Sequence, residues 1–273
     1  MNVIEYNFEH YNTLAPNLYR KEKYRLQVEL LKLQEDAIIN KRKIAVCFEG
    51  RDTAGKSSTI NFFSEHLIPS NFKYVHLGIP TDEEKANWFE RWEKHLPKKG
   101  ELVLFDRSWY TRALIEPTLG YCTKTEYKKF MNKVNKWEKN LIKSDIELIK
   151  FYFSIDQDQQ KRRLSARKNS KLKYWKLSKS DQMMVDKWDL FTLYKNQMFD
   201  ITSTKIAPWV VVNANNKMIA RLSALRYLLN SFDYERKKTL EPPKWGEDLG
   251  NYSCYIEGLS LIHISEPTRR NSI

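Results

Sequence analysis

A glycine-rich loop near residue 50 limits what this chain can fold into more than any other feature of its sequence. Residues 50–57 read GRDTAGKS, after the apolar run 44–48 and before a helix-like stretch that continues to Leu67. A strand, a loop of this spacing and a helix, in that order, predict a phosphate-binding loop. Gly50 and Gly55 allow backbone N–H groups to turn toward an anion, and the start of the helix adds partial positive charge. The alternative interpretation is an ordinary turn with a surface lysine.

The side chains of the loop have separate expected roles. We expect Lys56 to reach a terminal phosphate and Ser57 to hold a metal ion. A carboxylate inside the loop would repel phosphate, so Asp52 indicates either a metal contact or a base that orients the attacking group, unless it only stabilises a local turn. The predicted phosphate-binding residues here are Gly50, Arg51, Thr53, Ala54, Gly55, Lys56, Ser57 and Ser58.

The composition is that of a globular chain, and its charge is strongly positive. The chain has 273 residues and a net charge of +13, which favours polyanionic partners, although a lysine-rich surface explains part of the excess. No apolar stretch approaches the roughly 18 residues that cross a bilayer, and the N-terminus does not resemble a secretory signal. Cys47, Cys122 and Cys254 form neither a disulfide framework nor a zinc-ligand pattern, so we expect a reduced, cytoplasmic protein.

Apolar runs alternate with segments of helical periodicity along most of the chain. This alternation predicts a three-layer α/β/α fold around a five-stranded, mostly parallel sheet. The predicted strands are 44–48, 73–77, 101–106, 146–155 and 208–214. The predicted helices are 17–40, 57–67, 82–95, 124–142, 157–168, 180–200 and 216–230.

The domain organisation follows from the same pattern. Residues 1–43 are predicted to be a helical lead-in packed on a phosphate-loop core domain of residues 44–232, with a lid at about 157–182. Residues 233–258 are a C-terminal extension. Residues 259–273 look like translated cloning or adaptor DNA, so we exclude them from the fold.

An acidic residue ends the strand 101–106, and two arginines follow it. In phosphate-loop enzymes such an acid binds Mg²⁺, directly or through water, which makes Asp106 a predicted metal ligand together with Asp52 and Ser57. Arg107 and Arg112 suit a row of phosphates because guanidinium groups match phosphate oxygens bidentately. The alternative for Arg107 is an ordinary ion pair with a surface carboxylate.

A second basic segment runs from Lys161 to Lys176, where eight of sixteen residues are basic and none is acidic. A basic run by itself favours a solvated face or a nucleic-acid patch. Its position after the fourth predicted strand favours a lid that closes over a transferring phosphoryl group. Arg162 and Arg163 are the predicted catalytic residues of this lid, and Arg167 and Lys176 are predicted to bind phosphate. Ser178 or Ser180 is predicted to cap the helix that follows.

Taken together, these motifs resemble those of polyphosphate kinase family 2. The shared features are the loop 50–59, the segment 106–112 (DRSWYTR), the lid through Ser178, and the strand 207–212. The resemblance covers about residues 20–232. Two departures are Ser57-Ser58, where many members have two glycines, and Thr111, where many have asparagine.

The resemblance implies a thymidylate-kinase-like P-loop kinase fold and reversible phosphoryl transfer between inorganic polyphosphate and a nucleotide. It also implies dependence on Mg²⁺, with Mn²⁺ as a substitute, and a homodimer or homotetramer. The segment 120–122 looks closer to members that act on nucleoside diphosphates such as ADP or GDP. No nucleic-acid or membrane partner is expected.

Two other functions stay open at this point. An ATP-dependent nucleoside monophosphate kinase would share the loop, the sheet and the lid, but would not need so basic a lid. A nucleic-acid-binding ATPase would show salt-sensitive nucleic-acid binding, and the sequence contains no base-reading module.

Overall fold

The computed structural model of the protein describes residues 3–6, 16–238, 240, 254–256 and 259–262. A six-stranded sheet lies at its centre, with the strand order β1-β6-β5-β2-β4-β3 and parallel pairing throughout. The strands are β1 (Ile4–Glu5), β2 (Lys43–Gly50), β3 (Phe72–Val75), β4 (Glu101–Asp106), β5 (Ile146–Ser154) and β6 (Trp209–Asn213). The loop that follows β2 therefore lies in the middle of the sheet, where the carboxyl ends of parallel strands form a ligand-binding edge.

The prediction of five strands was wrong by one edge strand. Ile4 and Glu5 pair with Val210 and Val211 of β6 and extend the sheet at that side. A strand of two residues shows no alternation in sequence, so only its pairing partner reveals it.

The predicted helices are all present, and two of them are divided. The helices are α1 (Pro16–Ile39), α2 (Lys56–Ser64), α3 (Asp82–Ala86), α4 (Trp88–Glu93), α5 (Ile115–Leu119), α6 (Lys124–Lys143), α7 (Gln157–Lys168), α8 (Lys179–Asp186), α9 (Trp188–Thr202) and α10 (Lys217–Asn230). Asn87 and Lys187 have non-helical backbone torsions and interrupt the predicted helices 82–95 and 180–200. The apolar periodicity continues through both breaks, which is why sequence alone joined the segments.

Helix starts follow a repeated local pattern. Thr81, Thr123 and Ser178 each accept a hydrogen bond from the backbone N–H three residues later, and the acidic side chain at that later position bonds back. This capping box satisfies two backbone donors at a helix start. Of the two predicted caps after the lid, the structure therefore selects Ser178.

Alternate residues of each strand face two separate cores. Ile44, Val46 and Phe48 of β2 pack in a core with α1, α2 and α10. Ala45 and Cys47 face the other core, which contains α4, α6 and α9. Because side chains alternate along a strand, one apolar run serves both layers. The three-layer α/β/α prediction is confirmed, and Cys47 is a fully buried core residue as expected.

A buried ion pair ties the sheet to the second core. The Lys150 Nζ on β5 donates to Glu138 Oε2 of α6 at 2.8 Å and to the Tyr110 hydroxyl at 3.0 Å. Glu138 Oε1 accepts from Tyr110 Oη and from Trp109 Nε1. Both charged side chains are essentially inaccessible to water, so their mutual hydrogen bonds are what make burial tolerable.

The C-terminal part of the described chain forms a small hairpin. Strands β7 (Cys254–Ile256) and β8 (Leu259–Ile262) pair antiparallel. Residues 263–273 lie outside the described residues, and the origin of the segment 259–273 and the domain boundaries stay predictions. Among the described residues, no helix has the length and apolar character that would let it cross a bilayer.

Candidate active site

The glycine loop between β2 and α2 turns through unusual backbone conformations. Gly50 has φ +137°, and a Cβ there would lie 2.3 Å from the Phe153 carbonyl oxygen of β5. Gly55 has φ +109° and directly precedes α2. Glycine is therefore required at both positions, for backbone proximity at Gly50 and for a left-handed turn at Gly55. This path brings the loop to the positive end of α2, as a phosphate cradle requires.

Lys56 folds back over the loop that it follows. Its Nζ donates to the carbonyl oxygens of Gly50 and Arg51 at 2.8 and 2.9 Å. Burial, together with the nearby Arg107 guanidinium, lowers the pKa of the Lys56 ammonium. The Lys56 ammonium is thus held against the loop, close to the charged groups of Arg107, Asp52 and Asp106.

The Asp106 carboxylate, at the end of β4, contacts side chains of α2 and β3. Ser57 Oγ donates to Asp106 Oδ2, and the Tyr74 hydroxyl donates to the same oxygen at 2.9 Å. His76 Nδ1 lies 3.2 Å from the Asp106 carbonyl oxygen. A carboxylate beside a hydroxyl at the start of α2 is the donor set that Mg²⁺ uses when phosphate oxygens complete its coordination. Ser57 and Asp106 therefore fit the metal expected there, and Tyr74 is a contact that the sequence did not predict.

Asp52 and Arg107 form an ion pair across the loop. Arg107 Nη2 donates to Asp52 Oδ1 at 2.7 Å. Arg107 has φ +68°, a left-handed conformation that is unusual for a residue other than glycine. The structure brings Asp52 to Arg107 rather than to Asp106, so its assignment as a metal ligand stays a prediction.

Glu49 is a site residue that sequence reasoning missed. Its Oε1 accepts from the Ser108 backbone N–H at 2.7 Å and from Ser108 Oγ at 2.9 Å. These bonds fix Ser108, the residue after Arg107, and so stabilise the turn after β4. That turn directs the Arg107 guanidinium to Asp52. Burial raises the pKa of the Glu49 carboxyl to about 7. The available signal was an acidic residue at the end of an otherwise apolar strand.

Two predicted phosphate ligands point elsewhere. The Arg51 guanidinium stacks 3.3 Å from the centroid of the Trp188 ring and contacts Phe191 of α9. Arg112 is 2% exposed and pairs with Glu116 and Glu126. Neither side chain joins the cluster at the loop, because each already has aromatic or acidic partners.

The basic helix α7 holds the loop from the outside. Arg163 Nη1 donates to the Thr53 carbonyl at 3.1 Å, and its Nη2 donates to the Ala214 and Asn215 carbonyls at 2.7 and 2.8 Å. Gln160 Nε2 adds a bond to the Asp52 carbonyl. Arg163 is thus bound to backbone oxygens, which differs from the predicted closing arginine. Burial lowers the pKa of its guanidinium.

The remaining predicted residues occupy the loop and the lid. Ser58 Oγ donates to the Gly55 carbonyl at 2.8 Å, within the first turn of α2. Arg162 is exposed on α7. Arg167 Nη1 donates to the Lys176 carbonyl at 3.2 Å, which joins α7 to the exposed turn Tyr174–Lys176. On α9, Phe191 and Phe199 are buried, and the Trp188 ring stacks against the Arg51 guanidinium.

Comparison with known proteins identifies the relatives of this chain. A family profile described as Polyphosphate kinase 2 (PPK2) matches residues 13–240. A GDP-polyphosphate phosphotransferase of Mycolicibacterium smegmatis is 44% identical over 220 residues, which cover 80% of this chain and 78% of that protein. An ADP-polyphosphate phosphotransferase 2 of Rhizobium meliloti is 40% identical over 225 residues, covering 81% and 74%.

Another relative is longer, and a solved structure shares the fold. A GDP-polyphosphate phosphotransferase of Pseudomonas aeruginosa is 42% identical over 232 residues, which cover 85% of this chain but 65% of that protein. The crystal structure of Polyphosphate Kinase 2 from Arthrobacter aurescens TC1 superposes with a TM-score of 0.76 at 29% identity, covering 83% of this chain and 84% of the other.

Proposed function

Because this chain belongs to the polyphosphate kinase 2 family, we propose that it transfers phosphoryl groups reversibly between inorganic polyphosphate and a nucleoside diphosphate such as ADP or GDP. An oxygen of the β-phosphate of the diphosphate attacks the terminal phosphorus of the polymer. The bond from that phosphorus to the bridging oxygen breaks, and the polymer leaves one phosphate shorter. The products are the nucleoside triphosphate and a polymer whose new terminal phosphate carries the former bridging oxygen.

The loop and Lys56 bind the terminal phosphate of the donor. The backbone N–H groups at the start of α2 would donate hydrogen bonds to this phosphate, and the positive end of the helix favours its negative charge. The Lys56 ammonium lies within hydrogen-bonding distance of two loop carbonyls, so a modest rotation presents it to a phosphate on the loop. These contacts fix the phosphorus in place, and positioning supplies most of the acceleration in reactions of this kind.

Ser57 and Asp106 would hold Mg²⁺. When bound there, the ion would screen the negative charges of the donor and acceptor phosphates. Tyr74 fixes the orientation of the Asp106 carboxylate through its hydroxyl. Mn²⁺ shares the preference of Mg²⁺ for carboxylate and phosphate oxygens and is expected to substitute for it.

Arg107 would neutralise charge that develops on the transferring group. Its guanidinium borders the loop on the β4 side, and Asp52 orients it through the 2.7 Å hydrogen bond. Arg162, Arg167 and Lys176 would add positive charge from the lid side. Arg112 has no part in this proposal, because Glu116 and Glu126 already neutralise it.

The observation that carries the proposal is the convergence at the ends of β2 and β4. The loop, Lys56, the Ser57–Asp106 contact and the Arg107–Asp52 pair meet within one edge of the sheet. The names of relatives with about 40% identity support polyphosphate as donor and a nucleoside diphosphate as acceptor. The subunit number and a cytoplasmic location stay predictions.

The test is a transfer assay with defined donors and acceptors. Purified protein is incubated with Mg²⁺, polyphosphate and, in separate reactions, ADP, GDP, AMP or GMP, and products are separated by ion-exchange chromatography. We expect ATP from ADP and GTP from GDP, and no product after the divalent ion is chelated.

A Lys56→Met protein prepared in parallel controls for contaminating kinases. Absence of any phosphorylated product with every acceptor would refute the proposal. Activity that requires ATP as donor and ignores polyphosphate would instead favour a nucleoside monophosphate kinase.

A further inference from the structure

The side chain of Arg51 joins the glycine loop to the start of α9. Its Cζ lies 3.3 Å from the centroid of the Trp188 ring and 4.5 Å from that of Phe191. Its Nη2 also donates to the Trp188 carbonyl oxygen at 3.2 Å and to Thr192 Oγ1. Arg51 is 4% exposed, so these contacts belong to the protein interior. The stacked and hydrogen-bonded guanidinium therefore fixes this loop residue to α9 at several points.

The backbone of Arg51 belongs to the part of the loop that holds Lys56. The Arg51 carbonyl oxygen accepts from Lys56 Nζ at 2.9 Å and from the Ala54 backbone N–H at 3.2 Å. The next residue, Asp52, carries the carboxylate that pairs with Arg107. A shift of Arg51 would therefore move an acceptor of the Lys56 ammonium and the partner of the Arg107 guanidinium together.

Trp188 also links the loop to the end of the predicted lid. It begins α9, directly after the break that separates α9 from the lid helix α8. At the other end of the lid, Gln160 and Arg163 of α7 donate to the carbonyl oxygens of Asp52 and Thr53. Both ends of the predicted lid are thus attached to consecutive residues of the glycine loop.

We propose that Trp188 is a positioning residue for phosphoryl transfer, which acts through Arg51. The Trp188 ring and carbonyl oxygen hold the Arg51 side chain, and the Arg51 backbone in turn holds Lys56 and the residue that orients Arg107. The inference rests on the proposed function and adds a residue that does not touch the substrates. Where a reaction depends on positioning, a displacement of about 1 Å is enough to lower the rate by about 100-fold. Loss of the stacking contact should therefore lower kcat.

Steady-state kinetics with polyphosphate, Mg²⁺ and ADP test Trp188 directly. Leucine removes the aromatic face on which the Arg51 guanidinium stacks. We expect Trp188→Leu to lower kcat about 10-fold. The KM for ADP should stay within about 2-fold, because the substitution alters the geometry of transfer and not the binding of the acceptor. Urea denaturation measures the folded fraction of each variant, and kcat is normalised to that fraction.

Two conservative variants separate stacking from charge. Trp188→Phe keeps an aromatic face for the guanidinium, so it should retain kcat within about 3-fold of wild type. Arg51→Lys keeps the positive charge, but an ammonium group lacks the planar guanidinium that stacks on a ring. It should therefore lower kcat about 10-fold, as Trp188→Leu does. Arg51→Lys is the milder change and decides the question by itself if Trp188→Leu does not fold.

The double variant, Arg51→Lys with Trp188→Leu, shows whether the two residues act through one another. Substitutions that remove the same contact have effects that do not add. We expect the kcat of the double variant to lie within about 2-fold of that of either single variant. Independent effects would multiply to a loss of about 100-fold, and that result would overturn the inference.

A second contact between an arginine and an aromatic ring supplies the matched control. Arg42 lies directly before β2, at the end of the strand away from the loop, and its Cζ is 5.2 Å from the centroid of the Phe232 ring. Phe232 is buried, so Phe232→Leu should also lower the free energy of unfolding. Its kcat should stay within about 2-fold of wild type. An equal loss of kcat in this control would show that weakened packing in general lowers the rate.

The inference is overturned if Trp188→Leu and Arg51→Lys keep the wild-type kcat, or if Trp188→Phe loses as much activity as Trp188→Leu. A wild-type protein that makes no triphosphate from polyphosphate and ADP overturns the proposed function instead.

Discussion

Replacement of Glu49 by glutamine tests whether a buried carboxyl group holds a proton at the centre of the site. The Glu49 side chain is fully buried, and Ser108 donates both of its hydrogen bonds to Oε1. Within the described residues, Oε2 has no donor. Burial raises the pKa from 4.5 to about 7, against the opposing charge of Lys56. Glutamine keeps the Oε1 acceptor and the shape, but it cannot ionise.

The sign of the effect follows from proton linkage. Between about pH 4.5 and pH 7 the folded protein keeps a proton that the unfolded chain releases, so the free energy of unfolding falls as the pH rises through this window. Above about pH 7 the whole penalty is present. The difference between about 7 and 4.5, at about 1.4 kcal/mol for each unit of pKa, corresponds to about 3 kcal/mol. The glutamine variant escapes this penalty, so its stability relative to wild type should rise by about 3 kcal/mol across the window.

Urea denaturation at about pH 4.5 and about pH 8 measures this difference. Other titrating groups are common to both proteins and cancel when the variant is compared with wild type at each pH. Glu90→Gln, which removes an exposed carboxylate of α4, is the control and should differ from wild type equally at both pH values. A Glu49→Gln protein whose stability difference from wild type is constant with pH would show that burial does not hold the proton.

Three further substitutions test other parts of the structure. Gly50→Ala should lower the free energy of unfolding by about 3 kcal/mol or more, measured in urea, because its Cβ would meet the Phe153 carbonyl at 2.3 Å; an unchanged midpoint would contradict the loop geometry. Lys150→Met should cost about 3–5 kcal/mol because it leaves the Glu138 carboxylate buried and uncompensated. Adding Glu138→Gln should restore more than half of that loss, and no recovery would argue against charge burial as the cause. Lys56→Met should lower kcat by about 10²–10³-fold without loss of thermal stability, since burial already disfavours the ammonium; a lower melting temperature would indicate a structural role instead.

The parts of the site that sequence predicted well are close together along the chain. The run 44–48, the glycine spacing and the following helix describe β2, the loop and α2, because strand, turn and helix signals are local. Asp106 was also expected at this edge, since neighbouring parallel strands bring their carboxyl ends to one edge of a sheet. Its contact with Ser57 confirms that expectation of proximity.

The predicted site residues whose side chains bond elsewhere in the structure do so through contacts with other segments of the chain. Arg51 stacks on Trp188, Arg112 is neutralised by Glu126, and Arg163 bonds a carbonyl at Ala214. An arginine beside a phosphate motif and an arginine in a structural ion pair have the same local pattern. Only the packing of α6, α7 and α9 against the sheet distinguishes them.

The sequence by itself determined the fold class, the phosphate loop and the family, since these depend on residue types at fixed spacing. The tertiary structure decided which positively charged side chains face the loop and which pair with aromatic or acidic side chains elsewhere in the fold. It also decided that Glu49 holds the turn after β4 and that Trp188 of α9 holds Arg51. The physical reason is that a charge is free to bind a ligand only when no buried partner satisfies it, and those partners are set by contacts between distant segments.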